Sequence, residues 1–103
     1  MKQAAVLGAG AWGTALAKTL AERGFRVELW TRRPEHAAVS NAARENAKYL
    51  PGAKLPEALH VTSDVARALG GAELVVVAVP SHGLRAAVRA AREHVPRGAL
   101  VVS

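Results

Sequence analysis

The stretch VLGAGAWGTALAKTL, residues 6–20, decides the fold. Gly8, Gly10 and Gly13 stand at the spacing G-x-G-x-x-G, after a short apolar run and before an amphipathic segment rich in alanine and leucine. A strand before these glycines and a helix after them make the motif specific. Gly8 then permits a tight turn, Gly10 lets a pyrophosphate approach the backbone, and Gly13 lets the helix pack on the strand. The stretch predicts a dinucleotide-binding turn with the phosphates at the helix N-terminus, the alternative being a glycine-rich turn without a ligand.

Strand and helix patterns alternate along the rest of the chain. Alternating or valine-rich segments predict further strands at residues 25–30, 59–63, 72–80 and 99–103. Helical patterns predict helices, besides the one after the glycines, at residues 34–48, 64–71 and 81–95. Gly24 ends the first helix, Pro34 begins the second, and Ser63 or Asp64 caps the third. Between the second helix and the third strand, the prolines and glycine of YLPGAKLP predict an irregular loop.

This alternation is typical of an α/β fold with a parallel sheet. Right-handed crossovers predict a Rossmann-type, doubly wound sheet with strand order 3-2-1-4-5. The first and fourth strands are then neighbours, so the segments GAGAWG and VPSH leave the sheet at the same edge and form a crevice there. Residues 1–103 make up one nucleotide-binding domain in this interpretation. Because the last predicted strand runs to the end of the sequence, we expect the N-terminal fragment of a longer enzyme.

The residues after the second strand predict which dinucleotide is preferred. NAD-specific sites usually have an acidic residue at the end of this strand, whereas this chain has Thr31 there, followed by Arg32 and Arg33. Arginine suits a 2′-phosphate through charge-assisted hydrogen bonds. The nearby Glu28 lies in mid-strand, too early to reach the ribose. We therefore predict NADP(H) as the preferred cofactor, with NAD(H) as the alternative if both arginines are only solvated surface charges.

Composition narrows the class of protein further. The chain has 14 basic and 8 acidic residues among 103, a net charge of +6 that favours an anionic partner. The basic residues are dispersed and aromatic residues make up only 4% of the chain, so a nucleic-acid partner is disfavoured. Absence of cysteine fits a reducing, cytoplasmic setting. No apolar run approaches the roughly 18 residues of a membrane span.

Four segments carry a resemblance to a known family. GAGAWGTALA, LWTRRPEH, YLPGAKLP and AVPSHGLR resemble the NAD(P)-dependent glycerol-3-phosphate dehydrogenase of the bacterial type. The resemblance implies a Rossmann domain followed by a helical substrate domain, which is absent here. It also implies reversible hydride transfer between dihydroxyacetone phosphate and sn-glycerol 3-phosphate, for glycerophospholipid synthesis. The family's catalytic lysines and substrate-phosphate residues would follow Ser103, so no catalytic residue is assigned in this chain.

The resemblance also implies cofactor contacts outside the glycines. It assigns them to the bulky aromatic Trp12, to Arg32 with Arg33 beside it, and to Tyr49. Many relatives have serine where this chain has Ala11, so a hydroxyl contact to phosphate is lost while the backbone N–H remains. Val79 and Pro80 are expected to line the nicotinamide side of the crevice. The predicted cofactor-binding residues are Gly8, Gly10, Ala11, Trp12, Gly13, Arg32, Arg33, Tyr49, Val79 and Pro80. A homodimer is one possible assembly.

Other candidate side chains have simpler interpretations. We expect Ser81 to cap a helix, His82 to line the crevice and Trp30 to fill space beneath the adenosine end. The remaining histidines are scattered, without the spacing of a metal site, and are predicted to lie on the surface: His36, His60 and His94. Two alternatives stay open. One is another NADP-dependent reductase with a helical second domain, of the ketopantoate reductase or 6-phosphogluconate dehydrogenase type. The other is a non-catalytic nucleotide-sensing module.

Overall fold

The fold is a five-stranded parallel sheet flanked by helices. A computed structural model describes residues 2–79 and 92–102, together with Arg85 and Arg89. The elements in chain order are β1 (Gln3–Leu7), α1 (Ala11–Glu22), β2 (Arg26–Trp30), α2 (Pro34–Ala43), β3 (Leu59–Thr62), α3 (Val65–Leu69), β4 (Leu74–Val77) and β5 (Leu100–Val102). The strand order is β3-β2-β1-β4-β5 and every pairing is parallel, which confirms the predicted Rossmann-type topology. The helix predicted at residues 81–95 lies largely outside the described residues. Within that range, residues 92–94 are described and are helical.

The central strand β1 is buried on both faces. Its residues from Ala4 to Leu7 are at most 1% exposed, which explains why these four residues are all apolar. Val6 belongs to a core cluster that includes Ala17 of α1 and Ala37 of α2. Leu7 belongs to the cluster on the opposite face, which includes residues of α3 and β4. The helices therefore cover both faces of the sheet, as a doubly wound fold requires.

The predicted helix boundaries hold at most ends. Gly24, with φ of 98°, follows the C-cap of α1, and Pro34 begins α2. Of the two candidate caps for α3, the structure uses Asp64, whose carboxylate accepts hydrogen bonds from the backbone of Ala66 at 3.0 Å and Arg67 at 3.2 Å. These contacts satisfy N–H groups that a helix leaves without internal partners.

The second helix is shorter than predicted. It ends at Ala43 instead of residue 48, because Arg44 adopts the left-handed conformation with φ of 54°. The Arg44 guanidinium donates to the backbone carbonyls of Pro56 and Leu59, the latter at 2.8 Å, and its own carbonyl accepts from Leu55 at 2.7 Å. Side-chain and main-chain bonds together turn the chain out of the helix. They also hold the predicted irregular loop against the start of β3.

The described residues contain no helix that is long and apolar enough to cross a membrane. Within the same part of the chain, no three histidine, aspartate or glutamate side chains are grouped closely enough to bind a metal ion.

Candidate functional site

The carboxyl ends of β1 and β4 meet at the glycine turn. Leu7 pairs with Val77, the last residue of β4. The residue after it, Ala78, donates its N–H to the Leu7 carbonyl at 2.8 Å. Gly8 has φ of 121°, and a β-carbon there would lie 2.5 Å from the Ala78 carbonyl oxygen. The turn therefore requires glycine at position 8. The predicted meeting of the glycine turn with the segment VPSH is confirmed at Val79, whose side chain would lie 2.9 Å from a β-carbon on Gly8, whereas Pro80, Ser81 and His82 lie outside the described residues.

Gly13 brings α1 against the turn. A β-carbon at Gly13 would lie 1.9 Å from the carbonyl oxygen of Gly8, closer than any side chain could be accommodated. The helix begins one residue after Gly10, whose carbonyl accepts the N–H of Thr14 at 2.9 Å. Tight packing of this kind fixes the first turn of α1 directly over the end of β1. The role predicted for Gly13 in helix packing is confirmed.

Gly10 differs from the other two glycines. Its φ is −75°, which any residue can adopt, and among the described residues no atom beyond its chain neighbours lies within 4 Å of a β-carbon built there. Neither backbone conformation nor packing within the described structure demands glycine at this position. The open space lies at the N-terminus of α1, where a bound group would approach the backbone.

The N-terminus of α1 has the features of an anion-binding end. Gly10 is the N-cap and provides no side chain to bond the helix N–H groups, and the first turn has no acidic residue. The unpaired N–H groups and the helix dipole favour a negatively charged group there. Trp12, the second residue of the helix, is 62% exposed although it is the bulkiest side chain of this turn. An exposed tryptophan beside such an end offers a flat apolar surface for a ligand.

The end of β2 lies beside the glycine turn. The N–H of Gly8 donates to the carbonyl of Trp30 at 2.9 Å, so the chain after β2 leaves the sheet next to the turn. Thr31 is buried, whereas Arg32 and Arg33 are exposed to solvent. The structure thus brings the two predicted arginines to the same edge of the sheet as the turn.

The nearest acidic residue of β2 is engaged elsewhere. The Glu28 carboxylate accepts a hydrogen bond from His60 Nδ1 at 2.8 Å and lies 3.5 Å from Arg67 Nε. Its neighbours belong to β3 and α3. Glu28 is therefore held away from the end of the strand, which agrees with the expectation that it lies too early to reach a ribose.

Tyr49 lies in the loop after α2, and its side chain is 42% exposed. Its ring meets the His36 ring edge to face, with centroids 5.7 Å apart, and the Lys48 ammonium lies 5.2 Å from the tyrosine centroid. A cation near the ring face and a histidine at its edge hold the tyrosine in place. The loop therefore presents a fixed aromatic surface.

Asn46, which no sequence pattern indicates as a functional residue, joins this loop to the glycine turn. Asn46 is 1% exposed, and its amide nitrogen donates to the carbonyl of Ala9 and to Thr14 Oγ1, both at 2.8 Å. Its amide oxygen accepts a hydrogen bond from His36 Nε2 at 2.8 Å. A single asparagine in a polar segment of the sequence gives no signal of such a role. Only the fold shows that it is buried.

The surface prediction for His36 was wrong. The ring is half-buried because it packs between Asn46, Tyr49 and the side chain of Thr31, whose Oγ1 lies 3.4 Å from His36 Nδ1. His60 is bonded to Glu28 and is partly exposed, while His94 is exposed as predicted.

Trp30 packs against the core cluster that contains Leu7, and its Nε1 donates to the carbonyl of Ser63 at 3.1 Å. It therefore fills space beneath the end of β2, at the position expected from the sequence.

Known proteins resemble the whole chain. The family described as NAD-dependent glycerol-3-phosphate dehydrogenase N-terminus matches residues 3–103. The chain is 50% identical over 99 residues to a glycerol-3-phosphate dehydrogenase (NAD(P)+) of Moorella thermoacetica, covering 96% of this chain and 30% of that protein. It is 52% identical over 99 residues to such an enzyme of Mycobacterium tuberculosis, with the same coverage of each. The chain thus spans about 30% of the length of these curated relatives.

Solved structures give the same result for the fold. The structure of glycerol-3-phosphate dehydrogenase from Coxiella burnetii matches with a TM-score of 0.91 and 32% identity, over 97% of this chain and 31% of that one. A ketopantoate reductase from Ralstonia eutropha matches with a TM-score of 0.75 and 27% identity, over 98% of this chain and 33% of that one. The likeness to the first structure is greater in both backbone and sequence.

Proposed function

Because this chain belongs to the family of NAD-dependent glycerol-3-phosphate dehydrogenase N-terminal domains, we propose that it binds a nicotinamide dinucleotide as the cofactor-binding part of such an enzyme. The space at Gly10 is the single observation that carries this proposal. Gly8 and Gly13 are required by the fold, since a β-carbon at either would overlap the backbone. Gly10 is not, since no atom of residues 2–79 or 92–102 outside its immediate neighbours lies within 4 Å of its built β-carbon. A pyrophosphate that must reach the backbone explains why a side chain is absent there.

The described residues fit the parts of a dinucleotide in order along the edge of the sheet. The N–H groups of Ala11, Trp12 and Gly13 at the start of α1 suit the pyrophosphate, and the exposed indole of Trp12 offers a flat surface beside it. Tyr49 provides a second aromatic contact from the neighbouring loop. Val79, at the end of β4 next to Gly8, lies where the nicotinamide side of the crevice is expected, and Pro80 is proposed to line it as well.

We favour NADP(H) as the cofactor, on the residues that follow β2. Thr31 occupies the position where a ribose-binding carboxylate is expected, and Glu28 is bonded to His60. The exposed guanidinium groups of Arg32 and Arg33 are suited to a 2′-phosphate, whose charge they would neutralise. The names of the curated relatives include both dinucleotides, so the preference rests on these arginines.

The reaction of the whole enzyme follows from the names of the relatives. We propose reversible reduction of dihydroxyacetone phosphate to sn-glycerol 3-phosphate, with the bound nicotinamide supplying the hydride. The residues of this chain hold and orient the dinucleotide and leave one side of the crevice open to substrate. The resemblance implies one lysine near the substrate directly after the predicted strand that ends at Ser103 and a second lysine in the helical domain. Supply of glycerol phosphate for phospholipid synthesis, a cytoplasmic location and a homodimer remain predictions.

The comparisons support this function over the alternatives from the sequence. The curated relatives that are about half identical to this chain are glycerol-3-phosphate dehydrogenases, whereas the ketopantoate reductase structure is 27% identical. The names of those relatives describe enzymes, which also favours catalysis over a sensing module.

Binding of the dinucleotide by the 103-residue chain is the test. Titration calorimetry with NADP+ and NAD+ should show saturable binding, and each bound dinucleotide should raise the melting temperature by mass action. Absence of heat and of any melting shift with either dinucleotide at millimolar concentration would overturn the proposal. If inorganic pyrophosphate alone produces the same binding heat and melting shift as the two dinucleotides, the site binds anions and not dinucleotides specifically.

A further inference from the structure

A continuous series of hydrogen bonds runs from the arginine segment after β2 to the glycine turn. The N–H of Arg33 lies 3.4 Å from Thr31 Oγ1, which in turn lies 3.4 Å from His36 Nδ1. His36 Nε2 is bonded to Asn46, and the Asn46 amide is bonded to the carbonyl of Ala9 in the turn. The first two contacts are long and the last two are short, at 2.8 Å each.

The donors and acceptors of this series can be assigned. The carbonyl of Ala9 can only accept, so the amide nitrogen of Asn46 faces it and the amide oxygen faces His36. His36 Nε2 must then carry a hydrogen and donate it. In the neutral ring Nδ1 is an acceptor, and the hydroxyl of Thr31 donates to it while accepting from the backbone of Arg33. Every member of the series therefore has a partner.

Hydrogen bonds of a second side chain in the same region do not reach the glycine turn. Another polar residue, Asn41, already fastens α2 to the sheet, with its amide donating to the carbonyl of Val61 at 2.7 Å and accepting from the Val61 N–H at 2.9 Å. His36 and Asn46 fasten the same region to the glycine turn instead. Burying polar side chains between two segments costs free energy unless each of their polar atoms has a hydrogen-bond partner. The position of His36 and Asn46 between the two halves of the proposed site indicates a role in binding.

We propose that His36 is a positioning residue that fixes the arginine segment relative to the glycine turn. The inference rests on the proposed function. A dinucleotide anchored by its pyrophosphate reaches Arg32 and Arg33 with its 2′-phosphate only if these arginines are held at the right distance. His36, through Thr31 and Asn46, fixes that distance before the ligand arrives. Pre-arrangement of this kind increases affinity because less freedom is lost on binding.

The ratio of the dissociation constants for NAD+ and NADP+ tests this role. We expect His36→Leu, which cannot bond Thr31 or Asn46, to lower this ratio roughly three- to tenfold, the range expected from one or two lost hydrogen bonds. A role in stability alone would lower the folded fraction and weaken both dinucleotides equally, leaving the ratio unchanged. His36→Gln can still donate to Asn46 and should restore part of the ratio.

Two further variants complete the experiment. Asn41→Ala is the matched control, because it removes a polar tie from the same helix that does not reach the glycine turn; it should lower the melting temperature and leave the ratio unchanged. Thr31→Val interrupts the series at its other end with nearly the same shape, and it should lower the ratio even if His36→Leu does not fold.

The outcomes separate the inference from the function on which it rests. An unchanged chain that binds neither dinucleotide overturns the proposed function and the inference together. An unchanged chain that binds both equally overturns the cofactor preference and, with it, the role of His36. The third outcome is that the unchanged chain prefers NADP+ and that His36→Leu, or a folded Thr31→Val, has the same ratio of dissociation constants as the unchanged chain. This outcome overturns the inference and leaves the proposed function standing.

Discussion

A β-carbon added to Gly13 would lie 1.9 Å from the carbonyl oxygen of Gly8. The first turn of α1 and the end of β1 are therefore packed as closely as backbones allow. The helix begins at once after the turn, with the Thr14 N–H bonded to the carbonyl of Gly10. The position of the helix N-terminus over the sheet thus depends on the absence of one side chain.

Gly13→Ala should therefore destabilise the fold severely. We expect a loss of about 3 kcal/mol or more in the free energy of unfolding, since the new methyl group meets backbone that cannot rotate away. Urea unfolding followed by circular dichroism measures this loss. A variant as stable as the unchanged chain would show that α1 can shift away from the turn, which contradicts the packing described.

Gly10→Ala should leave stability nearly unchanged and weaken dinucleotide binding. The backbone at this position suits alanine and its β-carbon meets no neighbouring element in the part of the chain that the structure describes, but the methyl group fills the space proposed for pyrophosphate. Affinity for NADP+ should fall at least roughly tenfold, a loss of about 1.4 kcal/mol. Calorimetric titration and urea unfolding of the same sample separate the two effects.

Gly70→Ala is the matched control for that change. Gly70 also has an ordinary φ, of −64°, and a β-carbon there would lie 3.1 Å from the carbonyl oxygen of Ala66. This variant should bind NADP+ as the unchanged chain does. Undiminished binding by Gly10→Ala would place the pyrophosphate elsewhere and remove the observation that carries the proposed function.

Replacing Arg32 and Arg33 with alanine should weaken NADP+ more than NAD+. Charge-assisted hydrogen bonds to a 2′-phosphate are lost only with the first ligand, and the difference should be at least roughly tenfold. Titration with both dinucleotides measures it. Removal of two exposed arginines elsewhere, Arg23 and Arg26, changes the net charge equally and should reduce both affinities only slightly. Equal losses for the two dinucleotides in the first variant would show that these arginines do not bind the 2′-phosphate.

Trp12→Ala should reduce dinucleotide affinity with little effect on folding. The indole is 62% exposed, so its removal leaves no cavity in the core. Loss of a flat contact with the ligand should weaken NADP+ binding roughly tenfold, within the range for aromatic contacts. Val39→Ala, at a side chain of α2 that is 65% exposed, is the control and should change neither stability nor binding. If Trp12→Ala binds NADP+ with the affinity of the unchanged chain, Trp12 does not contact the dinucleotide.

Arg44→Ala should destabilise the loop between α2 and β3. The variant loses the guanidinium bonds to the carbonyls of Pro56 and Leu59 and keeps the backbone strain that any residue with a β-carbon has at φ of 54°. We expect a loss of about 2–3 kcal/mol in the free energy of unfolding. Arg44→Gly removes the same hydrogen bonds without the backbone strain and should be the more stable of the two. The reverse order would show that the left-handed backbone is not a source of strain.

Much of the fold could be predicted because its signals are local. The glycine spacing, the valines of β4 and the proline at the start of α2 each restrict nearby backbone, and together they predict the strand order. The early end of α2 could not be predicted in this way. Arg44 leaves the helix because its side chain binds carbonyls that lie more than ten residues further along the chain.

The sequence by itself determined the Rossmann topology, the glycine turn and the arginines at its edge. Hydrophobic periodicity and glycine conformation depend on residues that are close in the chain, and the strand order follows from the alternation of strands and helices. Tertiary structure alone decided the role of His36 and Asn46. His36 ends the segment LWTRRPEH, but nothing in that segment indicates its bond to Asn46, and the partners of Asn46 lie as far as 37 residues away in the chain. Burial gives these side chains their importance, since a buried polar group must be paired, and burial exists only after the loops have come together.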